Sequence, residues 1–115
     1  MSVEIRVTSE FTKNAKRLIK KFPSLKNELK ELQEELKENP KMGIRIRENV
    51  YKIRLAVKSK GKGKSGGMRV ITYVDLEIKN ENNITIVFLL TIYDKSESEN
   101  IDDHEIEKAI EDLDE

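Results

Sequence analysis

Residues 52–73 read KIRLAVKSKGKGKSGGMRVITY, and the alternation running into this stretch decides the fold. Tyr51, Ile53, Leu55 and Val57 fall on one side of an extended chain, with Lys52, Arg54 and Ala56 on the other. That is the period of a strand with one buried face and one cationic face. Residues 58–66 hold only lysine, serine and glycine, so they read as a mobile surface loop. A second strand, rich in β-branched residues, is expected over residues 67–75. Two strands joined by a basic loop thus form the middle of the chain.

The flanks supply the other layers. Val3, Ile5 and Val7 alternate with Glu4 and Arg6, the pattern of a short strand. Thr8 or Ser9 can cap a helix whose apolar stripe is Phe11, Ala15, Leu18, Ile19 and Phe22, and Pro23 ends it. Leu25, Leu29, Leu32 and Leu36 follow at spacings of four, three and four, up to the stop at Asn39-Pro40. Two amphipathic helices so closely joined form an antiparallel hairpin, and its leucine seam is short enough to pack on a sheet rather than build a coiled coil. Residues 44–48 are a possible short extended piece. ITIVFLLTI, residues 84–92, is apolar on both faces and reads as the central strand after a turn at NENN, residues 80–83. A last helix is expected over residues 102–113, with Ile106, Ile110 and Leu113 inward. The sequence predicts an α+β fold in the order β-α-α-β-β-β-α, a small, mostly antiparallel sheet with the helical hairpin on one face.

The chain has 115 residues, with 22 basic and 22 acidic side chains, and the net charge of zero conceals a polar division. Residues 41–70 carry ten cations and one acid, a net of +9, while residues 96–115 carry ten acids and one lysine, a net of −9. A local field of this strength concentrates a polyanion on one face of a neutral molecule. Cysteine is absent, which removes disulfides, thiolate nucleophiles and cysteine-bound zinc. No run approaches the ~20 apolar residues of a membrane span, and MSVEIRVTSE has no signal-peptide core. The expected location is the cytoplasm, with no membrane partner.

GKGKSGG invites a phosphate-loop reading that fails. The pattern needs glycine five positions before Gly63, where Lys58 stands, and a helix afterwards, where a strand is expected. His104, the single histidine, lies in an acidic run without ligand-spaced partners, so neither a histidine-driven nor a metal-dependent nuclease fits. No cofactor or metal is expected. Lys52, Arg54 and Arg69 are different, because they interrupt otherwise apolar strands. Neighbouring strand cations repel, and they make sense when an anion joins them.

KSGGMRVITY, the apolar strand after it and TIYDKSESENI together resemble the RelE/ParE superfamily of type II toxin–antitoxin toxins, over nearly the whole chain. The likeness is greatest to the RelE/HigB-like branch with an extended basic loop. It implies that residues 1–115 form a single RelE-like toxin domain, similar in fold to microbial ribonucleases. The implied function is that of an mRNA interferase, a metal-independent endoribonuclease that cuts mRNA at the ribosome and inhibits translation. A cognate antitoxin, often of helix-turn-helix type, is the implied partner. By position, the resemblance assigns phosphate binding and activation to Lys52, Arg54 and Arg69, and a further cation to Lys95. The base-stacking C-terminal tyrosine of RelE aligns near Ile101 and is missing, which leaves Tyr93 as the nearby aromatic.

This set can cleave RNA without histidine. Attack of a ribose 2′-OH needs a base, charge stabilisation and a proton for the leaving oxygen. Arginine keeps its proton, so Arg54 and Arg69 are the charge stabilisers, and Lys52 is the candidate base. Lys95 serves as acid or phosphate clamp and Tyr93 as stacking group or acid. Lys58, Lys60, Lys62 and Lys64 are the expected RNA-backbone contacts. The sequence is also compatible with a ParE-like toxin that binds DNA gyrase without nuclease activity, and with a non-catalytic RNA-binding module.

Overall fold

The computed structural model describes residues 2–61, 63, 66–79, 81–98 and 100–114. The elements are β1 (Ser2–Val7), α1 (Ser9–Lys21), α2 (Leu25–Glu38), β2 (Ile44–Arg47), β3 (Val50–Leu55), β4 (Met68–Lys79), β5 (Asn82–Asp94) and α3 (Asp103–Glu111). Their order is the expected one with the short β2 added. They form a five-stranded sheet in the order β1-β5-β4-β3-β2, antiparallel except for the β1–β5 pair. ITIVFLLTI is therefore interior, between β1 and β4, while the middle strand is β4. No helix among the described residues is long and apolar enough to cross a membrane.

Local chemistry explains the helix boundaries. The Thr8 hydroxyl caps α1 by accepting the Phe11 N–H at 3.0 Å. Lys20 and Lys21 sit at the negative end of that helix. Pro23 follows immediately, and α2 opens after Ser24. Leu25, Leu29, Leu32 and Leu36 are all buried, and they meet Phe11, Ala15 and Leu18 of α1 over Ile53, Val70, Val87, Leu89 and Ile92 of the sheet. Each leucine so buried stabilises the fold by about 2 kcal/mol.

The other sheet face has a smaller core, in which Ile106 of α3 packs on Val50, Ile71 and Leu90. Glu107 of α3 adds an ion pair to Arg47 at 3.4 Å. The acidic C-terminal segment thus lies on the same sheet face as the strand cations, held chiefly by apolar contacts.

Two features near the strand ends fix how closely the backbones approach. Gly43 has φ +98°, and a Cβ there would lie 2.6 Å from the Lys52 carbonyl oxygen. A Cβ on Gly67 would press into the Leu55 carbonyl oxygen, so glycine is what lets β4 start against the end of β3. At the far end of the hairpin, β4 runs past the last β3 pair, Val50 with Tyr73. There Asp75 accepts the Leu76 N–H at 3.0 Å, which blunts the open edge.

Candidate active site

The strand register brings the predicted cations together. Arg54 lies directly opposite Arg69 across β3–β4, and Arg69 directly opposite Tyr93 across β4–β5. With strands about 4.8 Å apart, the three form a cross-strand row roughly 10 Å long. Lys52 stands two residues from Arg54 on the same face. Like charges set opposite each other in this way repel.

Tyr93 reaches this face because of a bulge. The β4–β5 register shifts between Ile71 and Thr72, which pair with Thr91 and Leu89, so Leu90 is the extra residue. Before the bulge Val87 and Leu89 face the helical hairpin, and after it Ile92 does. Phe88, Leu90 and Tyr93 belong to the opposite core. Unbroken alternation from Leu89 would have put residue 93 under the hairpin; one extra residue turns it over. The Thr8 hydroxyl donates to the Leu90 carbonyl at 2.8 Å and so occupies a bulge acceptor.

Arg69 is buried, at 4% exposure, with one guanidinium nitrogen donating to the Met68 carbonyl at 3.2 Å. Arg54 is exposed and Lys52 half-buried. The Tyr93 hydroxyl is buried and has no hydrogen-bond partner among the described residues. Burial pushes this phenol above its ordinary value of 10.0, and the Arg69 charge pulls it partly back. At neutral pH it is therefore a neutral O–H, able to donate. Beside it lies a hollow of about 180 Å³ lined by Ile46, Lys52, Tyr93, Asn100, Ile101, Asp103 and Ile106. Ile101, where the sequence lacks an aromatic, thus borders both Lys52 and Tyr93. A further hollow of about 550 Å³, between residues 6–10 and α3, includes none of the cation row.

The remaining predicted residues separate. Lys95 is half-buried just past β5, its N–H bonded to the Gly67 carbonyl at 3.2 Å. Lys58 is exposed. Lys62 and Lys64 lie outside the described residues. Lys60 departs from its expected place on RNA: its ammonium pairs with Asp94 at 2.7 Å, with side-chain exposures of 6% and 1%. The loop expected to be mobile is also tied down at its start. Ser59 exchanges hydrogen bonds with Ser24, and the Lys58 N–H donates to Glu28 at 2.8 Å. A lysine buried by its own loop cannot be told from a solvated one by composition. The sequence signal that existed was Asp94, an acid closing an apolar strand. His104 is exposed at the start of α3, its N–H donated to Asp102. Among the described residues no group of three or more His, Cys, Asp or Glu could hold a metal ion.

The Asp94 carboxyl carries a pH signature. Burial pushes it up, but hydrogen bonds from Lys60 and Ser96 and the Lys60 charge outweigh that and hold it below its ordinary value of 3.8. A depressed carboxyl stabilises the fold above the unfolded value and loses that contribution as pH falls through the folded one. Thermal melts should therefore show stability falling as the pH drops below about 4. Asp94→Asn should be less stable than the wild type at neutral pH and lose less of its stability on acidification. Parallel acid profiles for the two proteins would remove Asp94 from that role.

No protein-family model matches the chain, and comparison with curated proteins returns no match. Among solved structures, the chain is similar to the E. coli toxin RelE, determined as a double arginine-to-alanine mutant in the free state. The TM-score is 0.57 and the identity 18%, covering 98% of this chain and 99% of that one. At that identity the likeness establishes the fold: the chain has the α+β architecture of RelE.

Proposed function

We propose that the protein is the toxin of a type II toxin–antitoxin system, a metal-independent endoribonuclease that cuts mRNA at the ribosome in the cytoplasm. The observation that carries this reading is the Arg54–Arg69–Tyr93 row with Lys52 beside it, on one face of a RelE-like sheet. Two opposed guanidiniums next to a neutral phenol suit a phosphodiester passing through a more highly charged transition state.

In this mechanism the Lys52 amine takes the proton of the ribose 2′-OH. The 2′ oxygen attacks phosphorus while the bond from phosphorus to the 5′ oxygen breaks. Arg54 and Arg69 hold the non-bridging oxygens, and Tyr93 gives its proton to the departing 5′ oxygen. Lys95, beyond the end of the row, clamps a neighbouring phosphate. Lys58, with Lys62 and Lys64, holds the RNA backbone. A cognate antitoxin silences the toxin by covering this cationic face.

The test is purified protein with mRNA on programmed ribosomes. Cleavage should leave 2′,3′-cyclic phosphate and 5′-hydroxyl ends, since 2′-OH attack needs no metal-activated water. Products with 5′-phosphate ends would contradict the mechanism. Inhibition of DNA gyrase without RNA cleavage would assign the chain to the ParE-like activity instead.

A further inference from the structure

The basic loop enters β4 beside a buried ion pair that the mechanism above does not use. Lys60, from the short turn after β3, places its ammonium 2.7 Å from Asp94 and 2.6 Å from the Gly66 carbonyl oxygen. The ring of Phe22 lies 5.9 Å from the same nitrogen. Asp94 in turn accepts the N–H and the hydroxyl of Ser96, both at 2.9 Å. One side chain thus joins three places: the turn after β3, Gly66 two residues before β4, and the last residue of β5. Those are the ends from which Arg54, Arg69, Tyr93 and Lys95 project. Desolvating two charges costs about as much as their attraction returns, so a pair this buried is weak evidence for stability and better evidence for a fixed geometry.

We propose that the Lys60–Asp94 pair is a positioning device for the cation row, resting on the ribonuclease reading of that row. It locks the loop onto the end of β5 and so sets the distance between the phosphate-binding arginines and the Tyr93–Lys95 segment. Lys60 acts through these residues and does not touch RNA.

Hydrogen exchange and steady-state cleavage on Lys60→Met test this together. The Lys95 N–H, bonded to Gly67, and the Ser96 N–H, bonded to Asp94, should exchange about tenfold faster or more, because the pair closes that local opening. The Val74 N–H, bonded to Asn49 at 2.8 Å, should not change. Cleavage should lose about tenfold or more in kcat with KM within about threefold, as expected when catalytic groups are misplaced and binding is kept. Lys60→Met leaves Asp94 buried and unpaired, so Lys60→Met/Asp94→Leu is made beside it, which should recover the wild-type Tm and not the kcat. A rise in KM at constant kcat would make Lys60 an RNA contact and overturn the proposal. So would uniform acceleration of exchange with kcat unchanged below the melting range. If the wild type cleaves no RNA, the functional reading fails while the exchange pattern still decides whether the pair locks the loop.

Discussion

Arg69→Lys should lower kcat for RNA cleavage by about two orders of magnitude and abolish growth arrest, with a Tm near that of the wild type. The substitution keeps a positive charge at the centre of the cross-strand row but removes the planar fork. Arg69 sits between Arg54 and Tyr93 in the register, buried at 4% exposure. A guanidinium there bonds the Met68 carbonyl and has a rigid planar fork of donors that an ammonium lacks. Lysine is the informative replacement, because alanine would open a cavity under the row and mix a folding defect with a catalytic one. Circular dichroism and melting beside the kinetics separate the two. A variant as active as the wild type would mean that Arg69 supplies charge alone.

Lys52→Met is the second large effect. Losing a general base costs about 10²- to 10⁴-fold in rate. Lys52 is half-buried on the rim of the hollow beside Tyr93, so its loss should leave the fold intact. Lys52→Arg sharpens the reading: arginine keeps its proton at working pH and cannot serve as a base, so it should be nearly as inactive as methionine. If Lys52→Arg restored most of the rate, Lys52 would be an electrostatic residue and the base would lie elsewhere.

The periodicity around residues 50–57 placed Lys52 and Arg54 opposite Ile53 and Leu55, and the structure has them on opposite faces for that reason. The helices were equally legible, because Thr8, Pro23 and Asn39-Pro40 punctuate strong apolar stripes. What periodicity could not carry is register. The pairing of Arg54 with Arg69 depends on where the loop lets β4 begin, which Gly67 and the Lys60–Asp94 pair decide through tertiary contact. Tyr93 was reachable from its place in the chain but not its face, since the bulge at Leu90 reverses the alternation that a run apolar on both sides conceals. The C-terminal helix was visible, while its seat over Val50, Ile71 and Leu90 was not. Ile106 anchors it there through apolar contact.

In the proposed function the row formed by Lys52, Arg54, Arg69 and Tyr93 cleaves RNA rather than only holding it. The most direct test compares the wild type with Lys52→Met/Arg69→Lys on one mRNA, measuring cleavage on programmed ribosomes. Binding is measured in parallel on the same sequence carrying 2′-deoxy sugars, which cannot be cut. Both proteins should bind within about tenfold of each other, since the loop cations remain, and only the wild type should cleave. Binding by the wild type without cleavage, or equal cleavage by both, would contradict it.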